Sequence, residues 1–532
     1  MTNVLMVAAE NDALPVVTIS GREINGKVGG IGDVIRDVPR ALAARGCHVV
    51  VVTPAYGAFA NSPGCTLRTQ VDVIFSGTTE RVDLCEVPGR EEVDNVRHFV
   101  LDHPQFATCG AGRIYCDDPP QRPFATDATK FALFCTAVAE CVVGNSFGDL
   151  DVIHLHDWHA AFLLILRRYR PAYRKLKAVR CVYTIHNLSV QGVRPFAGDD
   201  SSLKSWFPGL RYDAKRLRDP RWPDCINPAA VAIRLADAVH TVSPSYAEEI
   251  LQPSAVARCG FYGGEGLETE LRAAQRQDRL LGILNGCEYP PPAQVGEPEW
   301  VDLLTLMRGS ILRWAGNDTH LASAHFLAHL RLAALKNKRP AILVTGVGRI
   351  TAQKLGLLRQ PVRDGRSALE NILDMLGDKG IFLLLGSGDP DYEQFITATA
   401  ARYTNLIFLN GYSDPLAHTL YAHGDLFLMP SSFEPCGISQ MLAMRAGQPC
   451  LVHAVGGLKD TVEDGVTGFS FSGDSLTEQA ELLVDTFKRA LTMYRKRPAQ
   501  WRSMRQQAST MRFNWDITAA DYLHRLYERP GG

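Results

Sequence analysis

Several segments of this chain place cations, glycines or a carboxylate just after β-branched runs, where they suit anion or sugar chemistry. Lys27-Val28-Gly29-Gly30-Ile31-Gly32-Asp33 precedes a helical pattern carrying Val34, Val38 and Leu42. Its glycines let the backbone approach an anion, the following helix N-terminus favours negative charge, and Lys27 adds a point charge. Gly348-Arg349-Ile350-Thr351-Ala352-Gln353-Lys354 carries two cations five residues apart, which suit a diphosphate, Arg by its fork and Lys by its charge. Pro430-Ser431-Ser432-Phe433-Glu434-Pro435-Cys436-Gly437 sets one carboxylate before a helical pattern through Ile438, Leu442 and Ala446. Val455-Gly456-Gly457-Leu458-Lys459-Asp460 adds a second glycine nest. Each has a plain structural reading too: a tight turn at Gly29–Gly32, a solvated loop at Arg349, a helix cap at Glu434.

His154-Leu155-His156-Asp157-Trp158-His159 closes another β-run. It invites a metal reading, but His154 and His156 face together on a strand while His159 opens a helix, so cleft-lining polar groups fit better. Thr184-Ile185-His186-Asn187 again puts a polar pair after a strand. Ser245 and Glu248 have capping-box spacing and read as structure. Arg167–Arg180 interleaves cations with Tyr169 and Tyr173, which reads as a solvated helix exit more than a nucleic-acid patch. No dinucleotide fingerprint is present, because Ile35 stands where its last Gly belongs, and no Walker A loop either.

The elements that must position these groups follow a strand–helix alternation. Expected strands are Val4–Ala8, His48–Thr53, Val96–Leu101, Val152–His156, Val182–Ile185, Ala238–Val242 and Gly282–Leu284. Asn285–Tyr289 then runs into Pro290, Pro291 and Pro292, with Pro298 beyond, and reads as a linker. The grammar restarts at Ile342–Val347 and continues through Phe382–Leu385, Leu406–Leu409, Leu426–Met429 and Leu451–His453. Continuously apolar runs suit parallel strands buried on both faces. The fold class is therefore α/β, with two doubly wound halves in 532 residues and ligands at the strand ends between them.

With 56 Lys+Arg against 57 Asp+Glu, the chain lacks a global field for nucleic acid or an anionic membrane. Thirteen scattered Cys argue against a disulfide framework and for a reduced, cytoplasmic protein. No signal peptide or membrane helix is expected.

In their joint order these segments resemble the bacterial glycogen synthase and plant starch synthase family, over essentially the whole chain. The matching stretches include Lys27–Val34, His156–Ala160, His186–Leu188, Thr241–Pro244, Leu284–Gly286, Arg349–Lys354, Gly411–Ser413, Phe433–Gly437 and Gly456–Val462. The resemblance implies a retaining glucosyltransferase of GT-B type, two Rossmann-like domains facing across a cleft. It implies transfer from ADP-glucose to the non-reducing 4-hydroxyl of an α-1,4-glucan, with no metal or other cofactor. On that template Lys27, Gly29 and Gly30 contact donor phosphate and sugar. Arg349 and Lys354 hold the diphosphate and stabilise the leaving group. Glu434 binds sugar hydroxyls, while His186, with Asp157, lines the cleft near the anomeric carbon through a backbone carbonyl. Asn187, Cys436, Gly437, Gly456 and Gly457 complete the expected substrate contacts. The implied division is 1–284 and 285–511, with 512–532 returning to the first unit.

The chain departs from the family pattern in places. Glu10–Lys27 is longer than the usual loop, Ser432 replaces an Arg, Val455 a Thr, and Ala230 a Lys. Asn285-Gly286-Cys287-Glu288 replaces an Asn-Gly-Ile-Asp entry, and Leu442 stands where many related transferases carry a second Glu. Two alternatives stay open on the residues: the same chemistry with another donor or acceptor, and a silent glucan-binding paralogue. A nicotinamide dehydrogenase is disfavoured by the missing fingerprint, and glycogen phosphorylase by the lack of its cofactor-lysine segment.

Overall fold

The computed structural model describes residues 2–289, 299–317 and 322–528. Pro290, Pro291, Pro292 and Pro298, part of the expected linker, lie outside the described residues, as do 529–532 of the expected C-terminal return.

Strands β1 (Asn3–Val7), β4 (His48–Pro54), β7 (Val96–Asp102), β8 (Val152–His156), β9 (Arg180–Ile185), β12 (Ala238–Thr241) and β13 (Leu280–Gly282) form a parallel array. Two long strands, β5 (Thr66–Phe75) and β6 (Thr78–Val87), extend it antiparallel, giving the order β13-β12-β9-β8-β1-β4-β7-β6-β5. This corrects the wholly parallel expectation. β5 and β6 alternate polar and apolar residues because one face meets solvent, so they lack the continuous apolar run that marks a buried strand. Ser76 and Gly77, both at positive φ, make their two-residue turn. The same device, Ser20-Gly21, folds part of the long Glu10–Lys27 loop into a hairpin of β2 (Val17–Ile19) and β3 (Arg22–Ile24). A two-residue pair, β10 (Arg194–Pro195) with β11 (Cys225–Ile226), stands apart.

The second sheet is wholly parallel: β14 (Ile342–Val347), β15 (Gly380–Gly386), β16 (Leu406–Asn410), β17 (Leu426–Met429), β18 (Cys450–His453) and β19 (Gly468–Phe471). Its order, β16-β15-β14-β17-β18-β19, is that of a dinucleotide-binding sheet, with the switch point between β14 and β17. In the first sheet the chain likewise builds one side through β1, β4 and β7, then the other from β8. Ligand groups are thus expected just after β1, β8, β14 and β17.

The connection out of the first sheet runs beside a later segment. Cys287 N–H donates to Phe513 O at 2.6 Å, and Thr518 donates to Leu284 O at 2.9 Å. A Cβ at Gly286 would sit 2.6 Å from Trp515 N, so only glycine fits between the two strands of chain. From there the helix Trp515–Asp521 and the turns through Tyr527 pack on the first sheet. Trp515 Nε1–H donates to Asp37 at 2.9 Å, and the Tyr527 hydroxyl meets His154 Nδ1 at 2.8 Å. Cys109 and Cys116 form a disulfide while eleven cysteines remain free, which modifies the expectation of a fully reduced chain. Among the described residues no helix is long and apolar enough to cross a membrane.

Candidate active site

After β1 the chain reaches Glu10, which is 2% exposed. Its carboxylate accepts from Val28 N–H at 2.8 Å and Gly29 N–H at 2.7 Å, and so shapes the glycine turn that opens the helix Gly30–Ala44. A Cβ at Gly30 would meet nothing within 4 Å. That glycine is not demanded by protein packing, and its bare face is open to a ligand. Lys27 Nζ pairs with Asp33 at 2.6 Å in the same turn. Burial pushes the Asp33 carboxyl up while Lys27 and Arg36 pull it down.

After β8, Asp157 adopts φ 55°, left-handed geometry that a non-glycine residue rarely holds. That turn aims its carboxylate at the next strand's end, where it accepts from His186 N–H at 2.7 Å and Asn187 N–H at 3.5 Å. Burial pushes Asp157 up to about 7, against the opposing pull of those two amides. The rings of His154 and His156 stack at 4.4 Å, and His156 Nδ1 meets His186 Nε2 at 2.9 Å. Burial drives His186 down to about 3, so its imidazole is neutral at ordinary pH.

From the second sheet, Thr351 caps the helix Ala352–Arg359 by accepting from Lys354 N–H. Gln353 donates to Phe433 O at 2.6 Å and accepts from Ser432 N–H at 2.9 Å, fixing the loop after β17 against that helix. Lys354 and Glu434 form an ion pair, with Glu434 only 8% exposed. Glu434 is no helix cap: the next helix, Ser439–Arg445, has Ile438 at its N-cap and no side-chain cap. Arg349 is exposed and makes no ion pair among the described residues.

These groups line one cavity of about 530 Å³. Lys27, Gly29, Gly30, Asp157, His186 and Asn187 come from the first sheet; Arg349, Lys354, Glu434, Cys436 and Gly437 come from the second. A neighbouring space of about 440 Å³ shares Lys27, Asp33 and Tyr412 with it. Tyr412 is 54% exposed, and its hydroxyl donates to Asp414 at 2.6 Å.

Gly456 and Gly457 are a correction, since both are buried behind the loop and neither lines the cavity. A Cβ on Gly456 would lie 2.0 Å from Glu434 O, and one on Gly457 2.2 Å from Cys436 O. Their amides already donate, Gly456 to Glu249 at 2.7 Å and Gly457 to Glu434 O at 3.1 Å. They let the Glu434 loop lie close. Ser245 is a second correction. The cap of its helix is Ser243, and Ser245 instead donates to Asp460 at 2.7 Å, joining the two halves. Glu10, just past β1, and Tyr412, just past β16, also follow strands, the first within the Glu10–Lys27 loop and the second within the Gly411–Ser413 family match.

Residues 3–273 match the family model described as the starch synthase catalytic domain, and residues 356–489 match glycosyl transferases group 1. The chain belongs to the starch synthase catalytic-domain family. Relatives include the glycogen synthase of Streptococcus equi subsp. equi, 33% identical over 519 residues, 93% of this chain and 96% of that one. The glycogen synthase of Koribacter versatilis is 30% identical over 512 residues, 94% of this chain and 95% of its own. Among solved structures, the catalytic domain of starch synthase IV from Arabidopsis thaliana, bound to ADP and acarbose, aligns at TM-score 0.73 and 26% identity. That alignment covers 99% of this chain and 98% of the other. Sucrose-phosphate synthase from Thermosynechococcus elongatus, at TM-score 0.53 and 18% identity over 99% and 98%, shares the fold. This member of the starch synthase family is a glycosyltransferase of glycogen and starch synthesis with the GT-B fold. Both expectations drawn from the sequence, family and fold, are thereby met.

Proposed function

We propose that this glycosyltransferase moves glucose from ADP-glucose to the non-reducing 4-hydroxyl of an α-1,4-glucan with retention, acting in the cytoplasm. The observation that carries the donor reading is Arg349. It is an exposed cation without an ion pair among the described residues, at the mouth of a cavity whose other cations, Lys27 and Lys354, are already paired. A diphosphate suits that arrangement, with Arg349 as the fork and the two lysines as charges recruited from Asp33 and Glu434. Once Lys354 turns to phosphate, Glu434 is released toward the hydroxyls of the transferred sugar. The exposed ring of Tyr412, between the two cavities, offers a stacking face to the base. ADP is also one of the molecules bound in the starch synthase IV structure.

In the step itself, the bond from the anomeric carbon to the diphosphate breaks, and the bond to the acceptor O4 forms on the same face. The acceptor's hydroxyl proton passes to the departing phosphate oxygen. Arg349 and Lys354 offset the negative charge developing on that oxygen. His186, held by Asp157, presents its backbone near the positive charge developing on the sugar. Each carboxylate lining the cavity is already engaged: Glu10 with amides, Asp33 with Lys27, Asp157 with amides, Glu434 with Lys354. With donor bound, Glu10 and Asp157 keep their amides, Asp33 keeps Arg36 and Glu434 turns to the sugar hydroxyls, so none is left as a covalent nucleophile, which favours same-face attack. Residues 1–284 form the acceptor-side unit in this reading, 285–511 the donor-side unit, and 512–532 returns to the first. The eleven free thiols suit a reducing compartment, and near-neutrality suits an uncharged polymer.

The test is to incubate the protein with ADP-glucose or UDP-glucose and a glucan primer and measure nucleoside diphosphate release. Faster release from ADP-glucose is expected. No release from either donor, alongside tight glucan binding, would leave a binding protein in place of a transferase.

A further inference from the structure

We propose that Glu10 is a positioning residue for the donor-binding turn, and that the Cys109–Cys116 disulfide holds in place the loop that anchors it. This rests on the donor reading above. One carboxylate oxygen of Glu10 accepts both turn amides, Val28 at 2.8 Å and Gly29 at 2.7 Å. The other accepts from the Tyr115 hydroxyl at 2.7 Å. Glu10 is thus tied on both sides, to the turn it shapes and to a phenol one residue short of Cys116.

The 109–116 segment has its own fastenings. Gly112 N–H donates to Tyr56 O at 2.8 Å, and the buried Lys130 donates to Ile114 O at 2.5 Å. Cys116 N–H donates to Asp127 at 3.2 Å. The disulfide closes this segment over its exposed part, with Cα atoms 5.8 Å apart. Gly112, at φ 78°, lies so close to the β2–β3 hairpin that a Cβ would be 2.4 Å from Ile24. The closed segment therefore abuts both the Glu10 carboxylate and the enlarged loop that leads to Lys27. Both cysteines are half-buried, within reach of a dithiol. In a chain with eleven free thiols, a lone disulfide fits a reversible role better than a structural framework.

Reduction proceeds by thiol–disulfide exchange. A dithiol loses two electrons and two protons to become its own disulfide, while the Cys109–Cys116 bond breaks and both residues become thiols. The freed segment keeps its other fastenings, so Tyr115 loosens without being lost. Donor binding then weakens while acceptor binding stays.

The experiment measures ADP binding by calorimetry, donor and glucan KM, kcat, and Tm for the wild type, Glu10→Ala, Glu10→Gln and Tyr115→Phe. Each is taken oxidised and after dithiothreitol. Glu10→Ala is expected to weaken ADP binding and raise donor KM by about 10-fold, as for loss of hydrogen bonds to a charged group. Glucan KM stays unchanged. Glu10→Gln, whose amide oxygen still accepts from the turn, restores most of the loss. Tyr115→Phe and reduction of the wild type each give a smaller loss in the same direction, and reduction adds little to Tyr115→Phe. Wild-type protein that fails to bind ADP would refute the donor reading itself. Wild type that binds ADP, with a folded Glu10→Ala binding it equally well, would refute the role of Glu10. Reduction that leaves wild-type ADP binding unchanged, or that weakens Tyr115→Phe as much as wild type, would refute the role of the disulfide.

Discussion

Lys354 and Glu434 are ion-paired across the switch point of the second sheet, one from the helix after β14 and one from the loop after β17. Each cancels the other's charge. On the proposed donor reading, a diphosphate that claims Lys354 leaves Glu434 to the sugar, so gripping one end of the donor prepares the site for the other.

On that reading the two residues act as a unit. Lys354→Ala and Glu434→Ala should each lower kcat/KM by about 10²-fold or more, the cost of one preorganised contact. The double variant should lose less than the product of the two. Steady-state kinetics on all three variants checks this; fully multiplicative losses would show that the pair is not functionally linked.

Among the described residues Arg349 has no ion-pair partner to lose. Arg349→Lys keeps the charge and gives up the fork, so donor KM should rise by roughly 10-fold while Tm stays within about 1 °C. Calorimetric titration with ADP beside a thermal scan separates the two effects. A large fall in Tm would mean that Arg349 supports the fold.

Burial raises both Asp157 and Glu249 to about 7, well above an unfolded carboxylate at about 4. Glu249 accepts from Gly456 N–H at 2.7 Å between the two halves, and Asp460 nearby raises it further. A native pKa raised this way gives stability that is full below about pH 4 and is lost as pH rises through about 7. Asp157→Asn and Glu249→Gln should each flatten the fall in Tm between about pH 4 and 7, and the double variant should flatten it further. Unchanged slopes in calorimetric scans across that range would contradict the assignment.

Tyr527→Phe removes the hydroxyl that meets His154 Nδ1 at 2.8 Å. An unsatisfied buried nitrogen costs roughly 1–3 kcal/mol. For a protein of this size, Tm should fall by about 1–3 °C, with turnover at 25 °C little changed. Scanning calorimetry with an activity assay reads both. A loss of turnover without a loss of Tm would give the C-terminal return a more direct role.

What the sequence made legible follows from what each residue has to satisfy. β17 is apolar throughout, and β14 is broken only at Thr345 and Gly346, because both faces are buried, so their places could be read directly. β5 and β6 mix charges such as Arg68, Asp72, Glu80 and Arg81 among their apolar residues because one face is wet, and only the Ser76-Gly77 turn signals them. Lys27, His186, Arg349, Lys354 and Glu434 each follow a strand, so a local rule gathers residues that the fold brings to one cavity. Gly456 and Gly457 obey the same rule yet serve packing, because the carbonyls they abut belong to a distant loop. Glu10 was hidden for a related reason. Its partners, Val28, Gly29 and Tyr115, come together only in the folded chain.

The most direct test of the account follows glucose itself. ADP-glucose carrying ¹³C at the anomeric carbon is incubated with a glucan primer and the product is read by NMR. Label in α-1,4 linkage at non-reducing ends is expected, with ADP released in equal amount and transfer slowed by about 10²-fold or more in the Lys354→Ala, Glu434→Ala double variant. Label recovered only as unreacted donor or free glucose, or found in β linkage, would contradict it.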